Sequence, residues 1–248
     1  MLNGKRLLAL LTLNKDSQRL SRLLGLAAAI TAAVVLTITL KTPRIHAGEQ
    51  EDQDKNKISI GFSIAPVPLN LEGKDKALVG LGSYLVNATA DCNGCHTTNA
   101  QTEYVPTGNP YLLRPPNGPF SGMRQPNPAT YLAGGSDFGP YPGLAHLYSR
   151  NLTPDSTGKP AGGMSYRQFL TVLRTGKDYD HLHPSCTGAP DGTCIPAPFN
   201  GELLQVMPWP TFQSMTDHDI RAIYEYLSSI PCIDTMVNGA PVLRNNCK

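Results

Sequence analysis

The stretch ADCNGCHTTNA, residues 90–100, sets Cys92, Cys95 and His96 within five consecutive positions. Two thiols three residues apart, with an imidazole beside the second, suit three chemistries. They can bond the two vinyl groups of one haem while the imidazole reaches its iron, form half of a zinc site, or act as a redox dithiol. The spacing favours the first, because Cys-x-x-Cys-His is the attachment signature of c-type haem. A thioredoxin-like dithiol would need a βαβ pattern around it, and zinc would need two further ligands, so the rest of the chain must decide.

A haem iron held by His96 leaves one axial position, and a thioether is a common second ligand in electron carriers. Among six methionines, Met207 stands apart in LLQVMPWPTF, where Pro208 and Pro210 stiffen an apolar backbone next to the sulfur. Isolated methionines more often fill gaps in a core. His181 and His183 could form a metal pair with Cys186, although alternate histidines in a polar loop are usually solvated. His146 and His218 read as surface residues.

Three segments carry helical periodicity and could position these groups. Residues 74–87 place Leu78, Leu81 and Leu85 on one face and lead directly into the cysteine motif. Residues 165–175 open with a Ser-x-x-Gln capping box, align Tyr166, Phe169, Leu170 and Leu173, and stop at Gly176. Residues 216–229 open with Thr-x-x-Asp, align Ile220, Ile223, Tyr224 and Leu227, and end before Pro231. No stretch alternates well enough to build a sheet, so the core is expected to be mainly α. The 23 glycines and 22 prolines gather in residues 104–163 and 184–201, which predicts long irregular loops.

Leu23 to Leu40 is an uncharged apolar run after the basic residues Lys5, Arg6, Lys15, Arg19 and Arg22. It reads as an export signal or a membrane anchor, and Ala47 behind it favours cleavage. Either reading places the remainder outside the cytoplasm. Residues 1–47 hold seven Lys/Arg and one acidic residue of the chain's 21 and 19, so residues 48–248 hold 14 basic and 18 acidic, near −4. No Lys/Arg cluster tracks a phosphate backbone, so nucleic acid is not an expected partner. Residues 49–57, EQEDQDKNK, read as a flexible linker within a linker and extended N-terminal segment over 48–72.

Four cysteines remain outside the motif, an even number in an oxidising compartment. Three pairings are open; the expectation is the two local ones, Cys186 with Cys194 and Cys232 with Cys247.

The ordered set of a helix before CNGCH, then YSRNLTPD, SYRQFLTVLRTGKD and VMPWPTFQSMTDHDIRAIYEYLSSIP resembles the bacterial monohaem cytochrome c domains, including those attached to periplasmic alcohol and gluconate dehydrogenases. The match covers roughly residues 74–231. The resemblance implies a cytochrome c-like helical fold over 73–248 with long Pro/Gly-rich loop insertions. It further implies one covalent haem c, thioethers at Cys92 and Cys95, His96 as proximal ligand and Met207 as distal ligand. Asn151, Leu152, Thr153 and Pro154 would line the haem pocket, unless Asn and Thr there only build a turn before Pro154. Trp209 resembles a haem-packing aromatic. The span between His96 and Met207 is longer than in small cytochromes.

The expected function is a non-enzymatic, one-electron carrier serving redox partner proteins: a dehydrogenase, an oxidase or another cytochrome. An alternative is a haem enzyme or gas sensor with an open or labile sixth position, approached by Arg150 or His181. A third is a zinc-stabilised exported module using Cys92, Cys95 and loop histidines.

Overall fold

A computed structural model of the chain describes residues 47–111, 124–141, 145–180, 186, 194–237, 240–241 and 247–248. The apolar run 23–40, His181 and His183 lie outside these residues. Met1–Gln50 form a separate unit, of which only the start of a helix at 47–50 is described; Glu51–Lys248 form one compact unit.

In chain order the helices are α1 (Ala47–Ile64), α2 (Lys76–Tyr84), α3 (Cys92–His96), α4 (Tyr166–Thr175), α5 (Trp209–Phe212) and α6 (Asp217–Leu227). Among the described residues, extended structure is limited to a two-stranded antiparallel pair, β1 (Met236–Val237) and β2 (Ala240–Pro241), and four isolated bridges. The protein is mainly helical, and no described helix is long and apolar enough to cross a membrane.

The expected helix ends are set by their caps. Ser165 and Gln168 close a reciprocal capping box at the start of α4, and Gly176 ends it at φ 71°. Thr216 accepts from the Asp219 amide at the start of α6. Asp75 caps α2, which runs on through a wider π-type turn over Leu85–Thr89. The aligned apolar faces meet: Leu81, Phe169, Leu173, Ile220, Ile223 and Leu227 are buried. Val79 and Tyr226, neither of them among those aligned positions, are fully enclosed as well.

α2 and α6 touch backbone to backbone at Gly82, where a methyl group would run into the Ala222 carbonyl oxygen and the Tyr226 Cβ. Beside this crossing lies a closed polar ring. Tyr131 donates to Asn87 Oδ1 at 2.5 Å, which leaves Tyr226 as the donor in the 2.8 Å contact between the two phenols. Asn87 Nδ2 donates to the Tyr226 hydroxyl and to Ser83 Oγ, and Ser83 donates to the Gly61 carbonyl. Each buried hydroxyl thus has both a donor and an acceptor role filled, as a low-dielectric interior demands.

The linker expected at 49–57 is instead part of α1. Its charged first half holds no apolar anchor, but Ile58 and Phe62, four residues apart, straddle Gly80 of α2, and Gly61 fits against the Gly80 carbonyl. The anchor lies in the second half of the helix, beyond the polar window that suggested a linker. Irregular structure begins only after Ile64.

Gly82→Ala is expected to cost about 2 kcal/mol, as overpacking at a rigid crossing does, read from the denaturation midpoint at unchanged slope. Burial raises the Tyr131 and Tyr226 pKa values above the ordinary 10.0. Their contribution is therefore complete below pH 10 and falls as pH rises past it, because the unfolded chain ionises first. Tyr226→Phe should flatten that alkaline loss in a pH series of unfolding curves.

Candidate metal centre

The turn into α3 is sharp. Asp91 sits in the left-handed region at φ 46° and its carbonyl accepts from the Gly94 amide at 3.1 Å. Arg124 braces this turn, donating to the Asn87 carbonyl and lying 3.5 Å from the Asp91 carboxylate. α3 then brings Cys92, Cys95 and His96 onto a single turn of helix. Cys92 packs against the core while Cys95 is exposed, and both are free thiols.

His96 Nδ1 lies 2.8 Å from the Arg150 carbonyl oxygen. A carbonyl can only accept, so Nδ1 carries the proton and Nε2 presents its lone pair, the arrangement found in metal-bound imidazoles. Burial is the main force lowering the His96 pKa, which keeps the ring neutral. Burial, then the Asp91 charge, pushes the Cys92 thiol up to about 12. Cys95 is raised by partial burial, Asp91 and Glu103. A redox dithiol needs a lowered thiol pKa, and these shifts run the opposite way.

Two loop segments clamp α3. The Gly134 amide donates to the His96 carbonyl at 2.7 Å, and the Ser136 amide and hydroxyl both donate to the Thr97 carbonyl. Leu132 donates to Asn93 Oδ1 and accepts from the Leu152 amide. Gly134, at φ 70°, is pressed against the Arg150 carbonyl carbon and the Asn151 nitrogen, which leaves no room for a side chain.

Residues 151–154 follow directly from Arg150. Asn151 Nδ2 donates to the Ile233 carbonyl at 2.6 Å, the Ile233 amide donates to Thr153 Oγ1 at 3.1 Å, and Thr153 donates to Asn151 Oδ1 at 2.6 Å. The polar groups of Asn151 and Thr153 therefore hold the C-terminal tail. Pro154 is buried, and Leu152 packs half-buried against the core.

Met207 also packs half-buried on that core, as does Leu204. The Trp209 amide donates to the Met207 carbonyl at 2.8 Å across Pro208, at φ −78° and ψ 49°. This is an inverse γ-turn, for which proline is preset. The Trp209 indole donates to the Leu204 carbonyl at 3.1 Å and rests on Gly176, so it braces the methionine turn against the end of α4.

The structure thus joins Cys92, Cys95 and His96 directly, sets Cys92, Leu152 and Met207 against one core, and gives Asn151, Thr153 and Trp209 bracing contacts. Arg150, Asn93 and the segment 132–136 are contributors that periodicity does not reveal. Only its place before NLTPD could point to Arg150, because its part in the site is a main-chain carbonyl that any residue type possesses. Disulfides join Cys186 to Cys194 and Cys232 to Cys247. His146 pairs with Asp137 at 2.8 Å at the surface, and His218 is exposed.

The donor set fits a haem c: one neutral imidazole whose lone pair is on Nε2, two cysteines at the vinyl spacing outside the disulfides, and a half-buried thioether. Asn93 Nδ2, within the cysteine motif, and Thr97 Oγ1, just after it, are buried without a hydrogen-bond partner among the described residues.

Comparison with known proteins points the same way at low identity. The chain is 27% identical over 152 residues to the gluconate 2-dehydrogenase cytochrome c subunit of Pantoea cypripedii, covering 60% of this chain and 22% of that one. It is 24% identical over 180 residues to the alcohol dehydrogenase (quinone), cytochrome c subunit of Komagataeibacter europaeus, covering 69% and 27%. It is 24% identical over 149 residues to the fructose dehydrogenase cytochrome subunit of Gluconobacter japonicus, covering 60% and 20%. The chain spans about a quarter of the length of these relatives. No family model and no solved structure matches it.

Thr153→Val, which keeps the shape but removes the hydroxyl, strands the Ile233 amide, while Asn151 Oδ1 keeps the Thr153 amide at 2.8 Å. It should cost about 2 kcal/mol, measured by chemical denaturation.

Proposed function

We propose that the chain is an exported one-electron carrier holding one haem c, bound through thioethers at Cys92 and Cys95 and ligated by His96 and Met207. The observation that carries this reading is the His96 ring, neutral and fixed through Nδ1 on the Arg150 carbonyl, which leaves the lone pair on Nε2, on the same helical turn as Cys92 and Cys95. Its similarity to cytochrome subunits of dehydrogenases supports the same reading and suggests a dehydrogenase as electron donor. Haem c, when bound, supplies an iron that gains and loses a single electron.

The chain's own residues do the rest. His96 is held against rotation, so little moves when the charge on its partner changes. Met207 is a soft, weakly basic donor whose backbone is locked by a proline γ-turn. Leu152 and Leu204 pack on the same core as Met207 and add apolar carbon to that side of the protein. Asn151 and Thr153 steady the segment that carries the Arg150 carbonyl, and Pro154 buries the turn behind them. Trp209 holds the methionine turn in place. Two disulfides suit an oxidising compartment, which residues 1–47 would give access to as a cleaved signal or a retained anchor.

The test is spectroscopy of the purified protein, oxidised and reduced, with and without CO. A haem c spectrum indifferent to CO, with haem retained on the denatured polypeptide, is the expected result. Met207→Ala should keep the covalent haem yet bind CO, and His96→Ala should lose stable ligation. Rapid CO binding by the unsubstituted protein would replace the carrier with a gas-binding or catalytic haem. Zinc in place of iron would end the reading.

A further inference from the structure

One residue reaches both of the segments that carry the axial ligands. The carbonyl of Arg150 fixes His96, while its guanidinium turns the other way and grips Asp178 through both carboxylate oxygens, at 2.7 and 2.6 Å. Its Nε lies 3.7 Å from the Asp180 carboxylate. The Arg150 and Asp178 side chains are only 18% and 8% exposed, so water screens the pair weakly.

Asp178 lies at the root of the methionine segment. Its amide donates to the Glu202 carbonyl, Lys177 bridges to Leu203, and the Gly176 carbonyl accepts from the Leu204 amide at 2.7 Å. Leu204 in turn accepts from the Trp209 indole, and the Trp209 amide closes the turn on Met207. The chain of contacts from His96 to Met207 therefore passes through the Arg150–Asp178 ion pair.

Resting on the assignment of His96 and Met207 as axial ligands, we propose that the Arg150–Asp178 pair is the strut that keeps Met207 within bonding reach of the iron. Arg150 is thus a positioning residue for the distal ligand while its backbone serves the proximal one. The side chain can be altered without touching the His96 hydrogen bond, because that bond is to a main-chain oxygen. Loss of the strut frees residues 176–180, and with them Leu203 and Leu204, to shift outward and carry the methionine turn along. A thioether is a weak ligand, so a small displacement suffices to break its bond.

The experiment uses the intact haem-loaded protein and its Arg150→Gln, Asp178→Asn and Arg150→Lys variants. Two readouts are taken: the methionine-to-ferric-iron charge-transfer band, and CO affinity after reduction. Arg150→Gln and Asp178→Asn should each weaken the band and raise CO affinity about tenfold, because apparent affinity scales with the fraction of molecules whose sixth position is open. The double variant should do no more than either single one, as expected of two partners in one interaction. Arg150→Lys, which keeps a cation for Asp178 but loses the Nε beside Asp180, should fall between. It also serves if Arg150→Gln does not accumulate.

Variants that melt earlier yet keep the parental band and remain inert to CO would overturn the strut and leave the ligand assignment intact. A parent protein without the band would remove Met207 from the iron, and the strut with it.

Discussion

An imidazole can bind a metal through one nitrogen only if something settles what the other does, and in this chain the Arg150 carbonyl settles it for His96. Much of the architecture around the cysteine motif follows from holding that carbonyl still. Arg150 lies in a loop, where no helix or sheet supplies rigidity. It is flanked instead by pairs of crossing backbone bonds: Gly135 to Ser149, Ser149 to Ser136, and Leu152 to Leu132. Each is worth about 1 kcal/mol net, but together they fix one peptide plane against another. Gly134 is required between them because the two strands of loop approach more closely than any side chain allows.

The helices and the loops divide the labour. α2, α4 and α6 bury the aliphatic core, and their contact at Gly82 leaves no slack between α2 and α6. The groups suited to chemistry lie at the margins: on the five-residue helix α3, in the loop at 150–154, and in the turn at Met207. Such a division keeps the donors at the edge of a packed body, where a flat apolar group can be embedded without cutting the helix contacts.

What the sequence made legible was local. Ser165 with Gln168, Thr216 with Asp219 and the stop at Gly176 are cap signals within four residues of each other, and the structure forms each of them. The cysteine motif and the methionine ahead of two prolines are equally local patterns. The tail clamp is not: Ile233 meets Asn151 and Thr153 from 80 residues away. Nothing in the composition of either segment specifies the other. α1 was illegible for a different reason. Its polar residues dominate a short window, whereas its anchorage depends on two glycines, Gly61 and Gly80, that carry no hydrophobic signal at all. Arg150 shows a third limit, because its contribution to His96 is a backbone oxygen that every residue type possesses.

The six cysteines receive two opposite treatments, and the difference bears on the chemistry of the motif. Four are joined in pairs, while Cys92 and Cys95, with two residues between them, lie outside both disulfides. Burial and the Asp91 carboxylate disfavour a thiolate at Cys92, and Asp91 with Glu103 does the same at Cys95. Disulfide exchange draws on the anion, so it works against this environment. A thioether sulfur is uncharged, so neither the apolar wall at Cys92 nor the nearby carboxylates penalise it.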